Sequence, residues 1–95
     1  MHIVFDHKIS LDIYAKTEFS TTFTIFKTSV LNNIEVSYPF ITFHFPKGLF
    51  ISIDSGLTYD GNPVRLELHV PQREALHGLN WTQGHFPDQP WVLFI

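Results

Sequence analysis

Ninety-five residues, 44% of them apolar and ten of them phenylalanine, exclude a disordered chain and predict a single small domain with an aromatic core. Charged residues make up only 16%, and the net charge of −3 comes with six Lys and Arg spread without a cluster, which argues against nucleic acid held through its phosphates. The absence of cysteine removes disulfides, thiolate nucleophiles and Cys-ligated zinc, and fits the reducing environment of the cytoplasm.

The amino terminus lacks a basic region followed by a long apolar run, so neither a signal peptide nor a membrane span is expected. Residues 2–7 read as a first strand with Ile3 and Phe5 on one face and Val4 on the other. A second, over 11–16, turns Leu11, Ile13 and Ala15 to the core and Asp12, Tyr14 and Lys16 outward. From 18 to 31 the chain has neither Gly nor Pro. Its Thr- and Phe-rich content predicts a long strand with Phe19, Phe23 and Ile25 inward and a bulge near Phe26. Asn32-Asn33 then reads as a turn joining two long strands, because Asn tolerates left-handed backbone. The strand 34–45 begins with Ile34, Val36 and Tyr38 on one face and resumes after Pro39 with Ile41, Phe43 and Phe45 on the other. Proline lacks the ladder donor, so it is expected at an edge or at a corner between two sheets. Pro46-Lys47-Gly48 is the next turn.

The most regular stretch is 49–70. Leu49, Ile51, Ile53 and Leu57 alternate with Phe50, Ser52, Asp54 and Gly56; beyond Asp60-Gly61, Val64, Leu66, Leu68 and Val70 alternate with Arg65, Glu67 and His69. Asp-Gly between alternating runs is a strong hairpin signal, and a two-residue loop produces this flip of parity. Pairs then sum to 121, placing Ile53 opposite Leu68 inside, and Ser52 opposite His69 and Asp54 opposite Glu67 outside; a four-residue loop over 60–63 would shift the sum to 123 and keep the same faces. Past Val70, Pro71 suits a first helical position and Gly78 a helix end, which predicts a turn or two of helix near 72–77. Residues 80–90 read as an ordered loop, and 91–95 as a wholly apolar closing strand. The expected fold is all-β: a small antiparallel β-sandwich or partly open β-barrel of six or seven strands with one short helix. Its predicted core includes Phe19, Phe23, Ile25, Ile41, Phe43, Ile51, Ile53, Leu57, Leu66, Leu68 and Trp91.

Three groups of residues offer chemistry. Asp54, Glu67 and His69, on the outer face of the 49–70 hairpin, have the composition of a general acid/base set or of a hard-metal site. The competing reading is a solvated sheet face screened by Arg65, and no metal or cofactor is assigned. The histidines His2, His7, His44, His69, His77 and His85 lack any metal-binding spacing, so their convergence would have to come from the fold. Trp81, His85, Phe86 and Trp91, with Asp88 and Gln89, combine flat rings and polar neighbours as ligand- or partner-binding surfaces do; alternatively the tryptophans plug one end of the core. No nucleotide-binding loop, nucleophile elbow or zinc ribbon is recognisable. The expected function is a small intracellular binding module for an unidentified protein or small-molecule ligand, self-associating as a homodimer through an edge strand or an exposed aromatic patch, with no membrane or nucleic-acid partner. The alternative is a small hydrolase or isomerase using the hairpin's polar cluster. Ligand carriage inside a barrel would need a cavity that ten phenylalanines are expected to fill.

Overall fold

The computed structural model describes residues 1–20, 26–27, 29–56, 61, 64–71, 80–81 and 91–94. Among these, nine strands occur: β1 (His2–Val4), β2 (Ser10–Tyr14), β3 (Lys16–Phe19), β4 (Asn33–Ser37), β5 (Phe40–His44), β6 (Phe50–Asp54), β7 (Arg65–Val70), β8 (Asn80–Trp81) and β9 (Val92–Phe94). They form two sheets, ordered β1-β2-β7-β9 and β3-β6-β5-β4-β8, and neither closes into a barrel. The fold is therefore all-β, as expected, and mostly antiparallel, with parallel pairs at β4–β8 and β7–β9. There are more strands than the six or seven expected because a turn at Tyr38-Pro39 divides the run 34–45 and because Asn80–Trp81, expected in a loop, forms β8.

Residues 10–19 link the sheets. Leu11, Ile13 and Ala15 are buried as their alternation predicts. At Ala15 the chain bends and changes neighbours: Tyr14 pairs with Arg65 in the first sheet, Lys16 with Asp54 in the second. A side chain of one methyl fits inside that corner.

This crossing overturns the 49–70 hairpin. β6 pairs with β3 and β5, whereas β7 pairs with β2 and β9, so the two segments lie end to end along residues 10–19, both antiparallel to them. Among the described residues the pairs summing to 121 do not form: Ile53 lies opposite Thr17 and Ile41, and Leu68 opposite Leu11 and Val92. Alternation fixes which side chains face the core, and that demand is met equally well in two different sheets; it does not choose the neighbouring strand. Gly61 does adopt a turn conformation, with φ 74, but residues 57–60 and 62–63 lie outside the described residues.

A two-residue hairpin does occur, at Tyr38-Pro39. β4 and β5 pair Ser37 with Phe40, Val36 with Ile41 and Ile34 with Phe43, and the Tyr38–Pro39 peptide bond is cis. The change of apolar face at Pro39 is thus a turn within one sheet, not the edge or corner expected. Nor does Asn32-Asn33 make a hairpin: Asn33 opens β4, whose neighbours are β5 and β8. The long strand over 18–31 is also not formed, since β3 ends at Phe19 and residues 26–27 lie in a 3-10 turn, where the Ser29 N–H donates to the Phe26 carbonyl at 3.0 Å.

The inward faces of both sheets build one core that includes Ile3, Leu11, Ile13, Ile34, Ile41, Phe43, Ile51, Ile53, Leu68 and Val70. Phe19, Leu66 and Trp91 pack half-buried against it. Phe26 is wholly buried, its ring centroid 4.8 Å from that of Phe45, which lies 5.0 Å from Phe5. Phe5 and Phe45 each precede a turn of one design: their N–H groups donate to the Ile9 and Leu49 carbonyls, and Lys8 and Lys47 adopt left-handed φ of 61 and 65. The expected core residues Phe23, Ile25 and Leu57, and the helix near 72–77, lie outside the described residues.

Candidate functional site

With Ile3, Leu11, Ile13, Leu68 and Val70 turned inward, strand alternation sends His2, Asp12, Glu67 and His69 to the outer face of the first sheet. The register sets His2, Asp12 and Glu67 in one row across β1, β2 and β7, and Ser10, His69 and Leu93 in the next. Asp12 and Glu67 therefore face each other, an unfavourable like-charge pair unless something compensates.

Asp12 is the centre of the group. Its Oδ1 accepts a hydrogen bond from His2 Nδ1–H at 2.6 Å, and its Oδ2 lies 3.2 Å from His69 Nε2. Glu67 Oε1 stands 3.7 Å from the same nitrogen. His69 Nε2 is closed to solvent and makes no hydrogen bond among the described residues. The hydrogen bond from His2, with a smaller contribution from His69, holds the Asp12 carboxyl below its ordinary range against an opposing push from burial. Arg65, two positions from Glu67 on the same face, is drawn aside: its guanidinium sits 5.3 Å from the centre of the Tyr14 ring.

The outer face of the second sheet is arranged differently. Lys16, Asp54 and Phe40 share one row, and Glu18, Ser52, Thr42 and Glu35 the next. His44 Nε2 and Glu35 Oε1 are hydrogen-bonded at 3.0 Å, and the hydroxyls of Thr42 and Ser52 at 3.2 Å. Lys16, Glu18, Phe40, Ser52 and Asp54 border a shallow hollow. At one end of this face the β4–β5 turn carries Tyr38, 83% exposed, next to Phe40, 47% exposed.

The acid/base set expected on the hairpin is not assembled. Glu67 and His69 stand together on β7, but Asp54 is in the other sheet opposite Lys16 and Phe40, where its Oδ1 accepts the Gly56 N–H at 3.0 Å. Ser52 opposes Glu18 and Thr42 rather than His69. Asp12 occupies the place given to Asp54. Its outward direction was legible from the alternation of 11–16; its neighbours were not, because they depend on which strand lies alongside. Of the histidines, His2 and His69 converge on Asp12 and His44 is in the second sheet. Trp91 packs edge-on against Phe43, with centroids 6.1 Å apart, in the manner of a plug. Trp81 lies in β8 beside Ile34. Its side chain, that of His7, and residues His77, His85, Phe86, Asp88 and Gln89 lie outside the described residues.

No helix among the described residues is long and apolar enough to cross a membrane. Comparison of the chain with protein-family models, with curated proteins and with solved structures finds no match.

Proposed function

We propose that the chain is a non-catalytic binding module of the cell interior that self-associates through the aromatic tip of the β4–β5 turn. The observation that carries this reading is Tyr38, a large ring with 83% of its surface open to solvent. The turn beneath it is held. Ser55 donates from both its N–H and its hydroxyl to the Pro39 carbonyl, at 2.7 and 2.6 Å. Gly56 lies so close to Pro39 that an added Cβ would come within 2.7 Å of the proline Cβ. An aromatic ring on a fixed turn binds at low entropic cost, and tyrosine is enriched among residues that dominate interfaces.

The surroundings support a second copy as the partner. Phe40 adds apolar area beside the tip, and the adjoining hollow carries charges of both signs in Lys16, Glu18 and Asp54. A two-fold axis sets the same patch against itself, so each Tyr38 meets the partner's Phe40 and hollow, and mixed charges find opposites without a net repulsion. The cysteine-free sequence supports the intracellular setting.

Sedimentation equilibrium tests the reading. The wild-type chain is expected to dimerise with rising concentration. Tyr38→Ser, a change at an exposed position, is expected to raise the dimer dissociation constant roughly tenfold or more, about 1.4 kcal/mol, with unchanged circular dichroism. A wild-type chain that stays monomeric to its solubility limit refutes it.

A further inference from the structure

We propose that Asp12, Glu67 and His69 form a site for a borderline divalent transition-metal ion, with zinc as its reference member, and that His2 positions Asp12 for it. The inference stands apart from the self-association reading, since it uses the other sheet.

Spacing is the first argument. One donor atom from each of the three residues lies within 4.8 Å of the other two. The separations to His69 Nε2 are 3.2 Å from Asp12 Oδ2 and 3.7 Å from Glu67 Oε1. Donors around a tetrahedral ion with bonds of about 2.0–2.1 Å stand about 3.3–3.5 Å apart. The two separations to His69 bracket that spacing, and the two carboxylates lie within 4.8 Å of each other.

The second argument is electrostatic. His69 Nε2 is closed to solvent and stands within ion-pair distance of two carboxylates that face each other, with no well-aligned hydrogen bond to either. A cation between the three gives the ring nitrogen a partner for its lone pair and cancels the repulsion in one step. Arg65, the group on this face that is always charged, is turned to Tyr14 instead. By contrast, His44 Nε2 and Glu35 on the second sheet complete a hydrogen bond at 3.0 Å.

The donors also fit one class of ion and are held in place. One imidazole with two carboxylates suits zinc, manganese, iron(II) or cobalt(II) better than magnesium or calcium, which prefer oxygen throughout. Asp12 and Glu67 face each other on β2 and β7, the two inner strands of the first sheet, whose ladder fixes their spacing. The His2 bond to Oδ1 leaves Oδ2 turned to His69, the outer support that metal-binding carboxylates commonly have.

The test is isothermal titration of zinc into the full chain at neutral pH. Zinc is expected to bind with one-to-one stoichiometry, and His69→Gln and Asp12→Asn are each expected to weaken it roughly tenfold or more, whereas His44→Gln leaves it unchanged. A readout on the unaltered chain guards against variants that misfold: zinc should shift the imidazole nitrogen resonances of His69 in a ¹⁵N-labelled sample. Absence of zinc binding overturns the proposal. So does binding that survives His69→Gln, binding lost only with His2→Gln, which places the ion at the terminal amine, or resonance shifts confined to other histidines.

Discussion

The two outer faces of this molecule use the same residue types to opposite ends. On the second sheet the charges find opposite or hydrogen-bonding neighbours: Lys16 opposes Asp54, His44 holds Glu35, and Thr42 meets Ser52. On the first sheet Asp12 and Glu67 face one another, Arg65 is committed to Tyr14, and His69 Nε2 is left without a hydrogen bond among the described residues. One face is electrostatically closed and offers aromatic surface; the other is unbalanced and offers donors. The difference lies in which strands are neighbours, since composition is nearly the same on both sides.

Both faces depend on a shared core, and breaking it should erase the contrast altogether. Leu68→Ala beneath the first face and Ile53→Ala beneath the second remove wholly buried side chains, and each should cost about 2–5 kcal/mol in a urea melt. Losses of that size are a large share of a total stability on the order of 5–15 kcal/mol. If one substitution cost less than about 1 kcal/mol, the sheet beneath it would not be anchored in the common core.

Metal sharpens the contrast next. Zinc at about one hundred times its dissociation constant should stabilise the wild-type chain by about 2.7 kcal/mol. The His44→Gln chain should gain as much and the His69→Gln chain almost nothing, read as the shift of a thermal melt. Equal shifts in both variants would mean that the two faces do not differ in their use of histidine.

How much of this was legible in the sequence follows from what alternation can carry. The inward positions Leu11, Ile13, Ile41, Phe43, Ile51, Ile53 and Leu68 were readable because burial on one face demands period two. Neighbouring strands were not, for the same demand is satisfied whether β7 lies beside β6 or continues past it along residues 10–19. Asp60-Gly61 and Tyr38-Pro39 both separate runs of opposite parity, yet only the second joins strands that pair with each other. At Pro39 the missing ladder donor is the weaker guide, and the turn between Ser37 and Phe40 the stronger. A hairpin register groups Asp54 with Glu67 and His69, whereas the alternation of 11–16 points Asp12 outward without saying which strand it faces. The corner at Ala15 gave no warning, since nothing in Ala15-Lys16 breaks the alternation.

The smallest expected effect is the most discriminating, because it has opposite signs on the two faces. Glu67→Gln keeps the shape of the side chain and removes one of two facing carboxylates, so the metal-free chain should gain about 0.2–1 kcal/mol, the usual size of a cross-strand like-charge term. Glu35→Gln removes the partner of His44 on a solvent-exposed face and should lose up to about 1 kcal/mol. Urea melts with a chelator present compare them. Raising the salt concentration should shrink both effects, because these carboxylates are open to solvent and screened by ions. A loss for Glu67→Gln equal to that for Glu35→Gln would mean that Asp12 and Glu67 do not repel. The first face would then be as well satisfied as the second, and the electrostatic case for a cation there would fall with it.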